Sequence, residues 1–156
     1  RFLDETGLSD CLSGLEQPLL GICLGMQLMA EHLEEGPCEG LGLLPGKIRR
    51  FEQAPIVPHM GWNTVEAPEE SQSKDQGDFR GALFAGLPAG AHFYFVHSYY
   101  WPVTDHTLAV SQYGETFSSA VQRNHFYGLQ FHPEKSGANG ALILKNFIEK
   151  CGSYQL

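Results

Sequence analysis

Short apolar segments with two different spacings open the chain. Residues 18–23 form a continuous apolar run of strand length, as expected of a buried parallel strand. In residues 24–33, Leu24, Leu28 and Met29 recur at helical spacing, and an acidic, glycine- and proline-containing stretch at 34–37 marks a stop. The pattern therefore predicts a strand that passes directly into a helix.

The second half of the chain has the pattern of a sheet followed by one helix. A segment rich in Phe, Tyr and Val is followed by segments 107–113, 117–122 and 126–131, which turn residues at 114–115 and 124–125 separate, and this spacing of the three segments predicts an antiparallel meander. The predicted strands cover residues 92–100, 107–113, 117–122 and 126–131, preceded by a turn and strand at 40–50, an extended segment at 56–65 and a polar surface loop at 66–78. An amphipathic helix is predicted at 141–150. Because strand and helix alternate early and hairpins come later, we expect an α/β sandwich with a mixed sheet in one domain, residues 1–156.

Composition and charge narrow the function classes. The chain has 156 residues, with 10 basic against 18 acidic residues and a net charge of −8, and it contains no basic block, so nucleic-acid binding is not expected. No apolar run is long enough to cross a bilayer, and no pair among Cys11, Cys23, Cys38 and Cys151 has C-x-x-C spacing. We therefore expect a cytoplasmic protein with reduced thiols, no metal, no cofactor and no membrane contact.

Residues 21–25, Gly-Ile-Cys-Leu-Gly, match the nucleophile-elbow pattern with Cys23 in the place of serine. In such an elbow a strand ends in a sharp turn that opens a helix, and the flanking glycines let neighbouring chain pass close. The helix dipole would lower the pKa of the Cys23 thiol and favour the thiolate. Taken alone, the pentapeptide fits a buried strand-end cysteine as well as it fits a nucleophile.

A cysteine nucleophile needs a base and a group that orients the base. His132 and Glu134 flank Pro133 directly after the apolar segment 126–131, so they lie at the end of a predicted strand. Pro133 favours an extended backbone at His132, and residues two apart in an extended segment point the same way. We therefore expect the Glu134 carboxylate to reach the His132 ring and fix its tautomer.

Residues 21–27 and 128–134 together resemble the two signature segments of class-I, or triad, glutamine amidotransferases. The resemblance implies a flavodoxin-like, three-layer α/β sandwich whose sheet is mixed and mostly parallel. It also implies a glutaminase that forms a thioester and passes ammonia to a synthase partner. By this resemblance the catalytic residues are Cys23, His132 and Glu134. Gln27 is placed to contact the substrate glutamine, and Leu24 supplies a backbone N–H to the oxyanion hole.

Two further segments, residues 58–63 and 95–100, are similar to the glutaminase subunit of imidazole glycerol phosphate synthase. That resemblance implies a heterodimer with a cyclase subunit, which makes imidazole glycerol phosphate and AICAR in histidine biosynthesis. Its implied substrate contacts are His97 and Ser98. Its implied interface residues are Trp62, Asn63 and Lys135.

The start of the chain departs from this resemblance. The family's first strand and helix and its Pro-Gly-x-Gly loop, which supplies the other oxyanion N–H, have no counterpart before Cys23, so we expect an N-terminal segment to be missing from the 156 residues. Three alternatives remain open. The chain could be the amidotransferase domain of another synthase, such as one making CTP or anthranilate, an inactive fragment that only binds a partner, or a cysteine hydrolase with no ammonia role.

Overall fold

The computed structural model describes residues 2–36, 38–68 and 81–151. Its α-helices are α1 (Phe2–Glu5), α2 (Leu8–Ser13), α3 (Leu24–Leu28) and α4 (Gly137–Asn146). Its strands are β1 (Leu19–Ile22), β2 (His32–Leu33), β3 (Cys38–Glu39), β4 (Lys47–Arg50), β5 (His59–Val65), β6 (Ala91–His97), β7 (Tyr99–Tyr100), β8 (Thr107–Tyr113), β9 (Glu115–Arg123) and β10 (Phe126–Leu129). Short 3-10 turns cover Ala82–Phe84 and Pro133–Lys135, and a π-helical turn, Phe147–Cys151, follows α4.

The sheet that contains the first strand of the chain has the strand order β1-β10-β9-β8. The predicted meander is confirmed, because β8, β9 and β10 pair antiparallel in sequence order. Strand β1 lies parallel to β10, with Gly21 opposite Gly128. This parallel pair places the carboxyl ends of β1 and β10 side by side, where ligand sites of α/β folds gather.

Apolar side chains cover both faces of this sheet. On one face Phe126 and Val121 pack with Met26 of α3. On the other face Leu129 packs with Ile143 of α4 and with aromatic residues of β6. Because successive strand residues point to opposite faces, one sheet can separate two cores. The helices α3 and α4 therefore lie on opposite sides of the sheet, as a three-layer arrangement requires.

The predicted mixed sheet is confirmed, but its parallel share is smaller than the resemblance implied. In the described residues β1–β10 and β2–β4 are the parallel pairs. The other pairs, which include β5 with β6, are antiparallel. The reason is local: β8, β9 and β10 are joined by short turns, and a short turn can join only antiparallel neighbours.

The first predicted helix is too long. Helix α3 ends at Leu28, and His32 and Leu33 belong to β2. The backbone N–H groups of Leu41 and Leu44 donate to the carbonyls of Leu28 and Met29, so a loop occupies these carbonyls where a further helical turn would. The stop signal therefore marks the end of β2, which the 3.6-residue pattern did not distinguish from helix.

Other strand and helix boundaries differ from the predicted ones by a few residues. The strand predicted at 92–100 breaks at Ser98 into β6 and β7, and α4 begins at Gly137 where residue 141 was expected. Gly140 lies inside that helix against the backbone of Pro133, where a side chain would collide. A glycine that reads as a loop residue is thus a packing residue. Most of the predicted surface loop at 66–78 lies outside the described residues.

Candidate active site

The backbone of Cys23 is bent sharply between β1 and α3. Its φ is 51° and its ψ is −106°, a region that non-glycine residues rarely adopt. The bend is held from both sides, because the Cys23 N–H donates to the Leu129 carbonyl at 2.7 Å and the Cys23 carbonyl accepts from the Gln27 N–H at 3.1 Å. The predicted strand–turn–helix elbow with a strained cysteine is therefore present.

The two glycines that flank the elbow differ. A Cβ at Gly21 would lie 2.6 Å from the backbone carbon of Gly25, whereas a Cβ at Gly25 would meet nothing within 4 Å. Gly21 is thus the position at which α3 crosses β1 closely, and Gly25 is unconstrained by neighbouring atoms of the described chain. The expectation that both glycines permit a close approach holds for the first alone.

The Cys23 sulfur is half-buried between two polar partners. Sγ lies 3.7 Å from the Val96 carbonyl oxygen, and Nε2 of Gln130 lies 3.8 Å from Sγ. Burial raises the pKa of the Cys23 thiol above its usual value, and it outweighs the N–H of Leu24 and the Gln130 amide, which lower it. The prediction of a lowered thiol pKa is therefore wrong for this structure, because desolvation of the sulfur exceeds what one N–H at the start of a five-residue helix returns.

His132 lies three residues after the end of β10 and makes the orienting contact that the sequence predicted. Its φ of −98° and ψ of 96° are extended, and its Nδ1 lies 2.7 Å from Oε1 of Glu134. Burial raises the pKa of Glu134. The hydrogen bond from His132 and the nearby positive charge of Lys135 lower it by more than burial raises it, so the pKa of Glu134 lies below its usual value. A carboxylate accepts only, so Nδ1 of His132 carries the proton and Nε2 is the basic nitrogen.

The basic nitrogen of His132 is buried and has no hydrogen-bond partner among the described residues. The rest of the residue is anchored: its N–H donates to the Tyr94 carbonyl at 2.9 Å, and its carbonyl accepts from Oγ of Ser136 at 2.6 Å. A buried ring nitrogen without a partner is costly unless a proton donor or ligand uses it. The ring is thus held for an incoming hydrogen-bond donor.

Cys23 and the His132 segment meet at one end of the sheet. Gln130, two residues before His132, contacts the Cys23 sulfur, and the charges of Glu134 and Lys135 act on the pKa of the thiol. A thiol, an oriented imidazole and a carboxylate at one strand end can carry out nucleophilic attack and proton transfer on a carbonyl substrate. Among the described residues no cluster of side chains could hold a metal ion, and no helix is long and apolar enough to cross a membrane.

Comparison with known proteins agrees with this chemistry. The family profile described as Glutamine amidotransferase class-I matches residues 6–151. The chain belongs to the class-I glutamine amidotransferases. The α/β fold expected for that family is supported by a solved structure described as a GMP synthase protein from Thermoplasma acidophilum, with a TM-score of 0.66, 25% identity and coverage of 97% of this chain and 66% of that one.

Individual relatives show to which branch of the family the chain belongs. The chain is 47% identical over 149 residues to the imidazole glycerol phosphate synthase subunit HisH of Haemophilus influenzae, with coverage of 95% of this chain and 70% of that protein. It is 50% identical over 149 residues to the subunit HisH of Xanthomonas euvesicatoria, again with coverage of 70% of the relative. Within the class-I glutamine amidotransferases, the chain therefore belongs to the HisH family, and it spans about 70% of the length of these relatives.

Two residues that were predicted to contact substrate, Gln27 and His97, make hydrogen bonds within the protein. Nε2 of Gln27 donates to the Tyr99 carbonyl and to Oε1 of Gln130, both at 3.0 Å, and the side chain is buried. The His97 ring is also buried, with Nδ1 at 2.7 Å from the Tyr99 carbonyl and Nε2 at 2.9 Å from Nδ1 of His59. The ring nitrogens of His97 and the amide nitrogen of Gln27 are therefore not available to a ligand, and any substrate contact rests on their other atoms.

The remaining predicted contacts stay predictions. Ser98 is half-buried in the break between β6 and β7, and its carbonyl accepts from the Phe51 N–H. The side chain of Leu24 is exposed, and its backbone N–H faces the Cys23 sulfur. An N–H at this position could donate a hydrogen bond to an oxyanion that forms on a carbon bound to the sulfur.

The structure brings two of the three predicted interface residues of the amidotransferase onto one surface. Trp62 is 58% exposed, and its ring lies 6.2 Å from that of Tyr94. The ammonium of Lys135 lies 5.9 Å from the centre of the same Tyr94 ring. Asn63 points to the other face of β5 and donates to the Gln112 carbonyl, so its side chain lies apart from the Trp62 surface. We call Met60, Trp62, Tyr94 and Lys135 the Trp62 surface.

Sequence reasoning missed two buried polar residues, one that contacts the Cys23 sulfur and one that contacts His97. Gln130 and His59 were both inside the recognised segments but received no role. Each interrupts an otherwise apolar strand pattern, and a polar residue at a core position needs a partner, so this interruption was the available signal. What the sequence could not indicate was the partner, since Gln27, Gln130 and His97 come from distant parts of the chain.

Proposed function

We propose that this chain is the glutaminase subunit of imidazole glycerol phosphate synthase. In this function it hydrolyses glutamine to glutamate and passes the ammonia to a cyclase subunit, which makes imidazole glycerol phosphate and AICAR. The observation that carries the proposal is the 2.7 Å contact of His132 with Glu134, which leaves Nε2 of His132 buried and without a partner among the described residues. The strained Cys23 lies at the same end of the sheet, where its sulfur contacts Gln130, two residues before His132. The names of the HisH relatives support the choice of synthase, and the family description supports glutamine as the substrate.

The proposed reaction begins with transfer of the Cys23 proton to Nε2 of His132. The thiolate attacks the amide carbon of glutamine, and the resulting oxyanion accepts from the Leu24 N–H. The imidazolium, stabilised by Glu134, then protonates the departing amide nitrogen, and the C–N bond breaks to release ammonia and leave a thioester. Water attacks the thioester with His132 as base, and glutamate and the thiol are regenerated.

The raised pKa of the Cys23 thiol fits this order of events. A thiol that stays protonated at rest is protected from adventitious oxidation and alkylation. Proton transfer to His132 is then coupled to substrate binding, since the positions of the glutamine amide and of the imidazole determine when the thiolate forms. The proposed compartment is the cytoplasm, where reducing conditions keep Cys23 free.

The Trp62 surface is the proposed contact with the cyclase subunit in a heterodimer. Met60 is 62% exposed and Trp62 is 58% exposed, although both are large apolar side chains. Aromatic and methionine side chains are enriched in protein interfaces, and lysine is more typical of the interface rim. Lys135 directly follows the proposed triad carboxylate, so docking at this surface can act on the position of Glu134.

The test replaces the nucleophile. In the complex with the cyclase, Cys23→Ala should abolish glutamate release from glutamine, because no thioester can form, while synthesis from added ammonium salt should continue. The matched control is Cys11→Ala, since Cys11 is an exposed free cysteine outside the site. Glutamate release by Cys23→Ala at the rate of the Cys11→Ala control would overturn the assignment.

A further inference from the structure

Gln130 is a buried polar residue at the catalytic strand end that the proposed mechanism does not use. It follows β10 directly and has no exposed surface. Its backbone N–H donates to the Ser119 carbonyl at 2.9 Å, so the residue is held in register with the middle of β9. Its side chain points towards α3 and the elbow, where it contacts Gln27 and Cys23.

The orientation of the Gln130 amide follows from its neighbours. The Tyr99 carbonyl can only accept, so the group of Gln27 that lies 3.0 Å from it is the NH2. The second hydrogen of that NH2 is directed at Gln130, whose facing atom is Oε1, also at 3.0 Å. The Gln130 nitrogen is therefore on the other side of its amide, 3.8 Å from Sγ of Cys23.

The Tyr99 carbonyl, to which Gln27 donates, is itself part of a buried hydrogen-bond network. The Tyr99 carbonyl also accepts from Nδ1 of His97 at 2.7 Å, and His97 Nε2 accepts from Nδ1 of His59 at 2.9 Å. Burial lowers the pKa of His97 to about 3 and that of His59 to about 4, so both rings are neutral at neutral pH and their donor and acceptor directions are settled. The direction of the Gln130 amide is thus set by a buried network that ends on a backbone carbonyl.

We propose that Gln130 is a positioning residue for the nucleophile, whose side-chain N–H holds the Cys23 sulfur and stabilises its thiolate form. The proposal deepens the proposed function, since it rests on Cys23 being the nucleophile. Its physical basis is the change of partners on deprotonation. The Val96 carbonyl, 3.7 Å from Sγ, accepts from the thiol but is unfavourable for a thiolate, whereas the Gln130 N–H is favourable for both and strongest for the anion.

The other groups that face the sulfur cannot take over this role in full. The backbone N–H of Leu24, in α3, also lowers the pKa of the thiol. In the proposed reaction, however, the same N–H donates to the oxyanion that forms when the thiolate attacks glutamine. From the 3-10 turn after His132, Glu134 raises the pKa and Lys135 lowers it. Gln130 is thus the uncharged side chain that acts on the sulfur and that no other step of the reaction requires.

The experiment measures the pH dependence of alkylation of Cys23 by iodoacetamide in Gln130→Met, read by mass spectrometry of the peptide that carries Cys23. Methionine has a similar length and no N–H. We expect the apparent pKa of Cys23 to rise by about one unit, a roughly tenfold lower rate at neutral pH, which is at the low end for a hydrogen bond to an anion because the contact to sulfur is long. In the complex with the cyclase, kcat for glutamine should fall while KM stays unchanged, because Gln130 is buried behind the sulfur.

Two further variants keep the result interpretable. Gln122→Met is the control, since the Gln122 side chain bonds the nearby Asn124 carbonyl in the turn before β10, away from the sulfur. Gln27→Met leaves Gln130 in place but frees its amide, so we expect a smaller shift of the Cys23 pKa in the same direction. If Gln130→Met does not fold, Gln27→Met decides.

An alkylation profile of Cys23 that matches wild type in the folded variants would overturn the role of Gln130. A fall in thermal stability without a shift of the profile would have the same meaning, since it is the result of a purely structural role. Failure of the proposed function is a separate outcome. Glutamate release by Cys23→Ala would remove the nucleophile assignment even if the profile shifts in Gln130→Met.

Discussion

Substitution of the two elbow glycines by alanine should have opposite effects. In Gly21→Ala the new Cβ would lie 2.6 Å from the carbonyl carbon and 2.7 Å from the carbonyl oxygen of Gly25, and 2.8 Å from the Met26 nitrogen. These are backbone atoms of α3, which cannot rotate away as a side chain can. The helix must therefore shift from β1, and Cys23, which joins the two elements, must shift with it.

The size of the effect follows from the atoms involved. Overpacking in a well-packed core costs about 1–3 kcal/mol, and a clash with backbone belongs at the upper end of that range. For a protein of this size, a loss of about 3 kcal/mol corresponds to a fall in Tm of roughly 6–12 °C. In Gly25→Ala the new Cβ meets nothing within 4 Å, and alanine is preferred over glycine at a helical position by about 0.5–1 kcal/mol, so Tm should stay equal or rise slightly.

Thermal unfolding followed by circular dichroism, with both variants and wild type in one buffer, measures the difference. The alkylation rate of Cys23 at fixed pH adds a local readout, because a displaced elbow alters the contacts of the sulfur in Gly21→Ala alone. Equal Tm values for Gly21→Ala and Gly25→Ala would refute the close approach of α3 to β1. A larger loss in Gly25→Ala would reverse the assignment of which glycine the fold requires.

Three other outcomes are expected. Burial lowers the pKa of His59 to about 4 and of His97 to about 3, so the unfolded chain binds protons that the folded chain excludes, and stability falls as pH drops below the usual histidine pKa of about 6.5. Urea unfolding at pH 6.5 and at pH 5 should show that the free energy of unfolding falls by about 1 kcal/mol more in wild type than in His59→Gln. Equal losses in the two proteins would contradict the exclusion of a proton from His59. Glu134→Gln keeps the size of the side chain but removes the carboxylate that orients the His132 imidazole, so kcat for glutamine should fall by about 10²-fold or more, and an unchanged kcat would exclude the orienting role. Lys135→Ala should reduce the stimulation of glutamate release by the cyclase, with Lys145→Ala on α4 as the control, and equal stimulation in both would mean that Lys135 takes no part in docking.

The two segments proposed to be catalytic could be located from the sequence because the arrangements they form are local. The elbow around Cys23 needs a strand, a bend and a helix within a few residues, and the contact of His132 with Glu134 needs only an extended backbone and a spacing of two. Both arrangements are present in the structure. The meander of β8, β9 and β10 was predictable for the same reason, since turn residues and alternating apolar positions lie next to one another in the chain.

The errors have a common cause in contacts made across the chain. The end of α3 was predicted too late because a loop further along the chain donates to the carbonyls of Leu28 and Met29. The thiol pKa was predicted to fall because the helix start was visible in the sequence, whereas the burial that raises it is a property of the packed site. The resemblance implied an interface role for both Trp62 and Asn63. That role stays a prediction for Asn63, whose side chain points to the other face of β5, because neighbouring residues of a strand alternate between faces.

The sequence by itself determined which residues could supply a nucleophile, a base and an orienting carboxylate, since residue type and short spacing suffice for each. Only the tertiary structure decided which polar groups surround the sulfur. Gln27 and Gln130 are 103 residues apart in the chain, and Gln27 and Tyr99 are 72 apart. Hydrogen bonds of buried amides depend on positions to within a few tenths of an ångström, and those positions are set by packing of the whole sheet against α3, which no local pattern encodes.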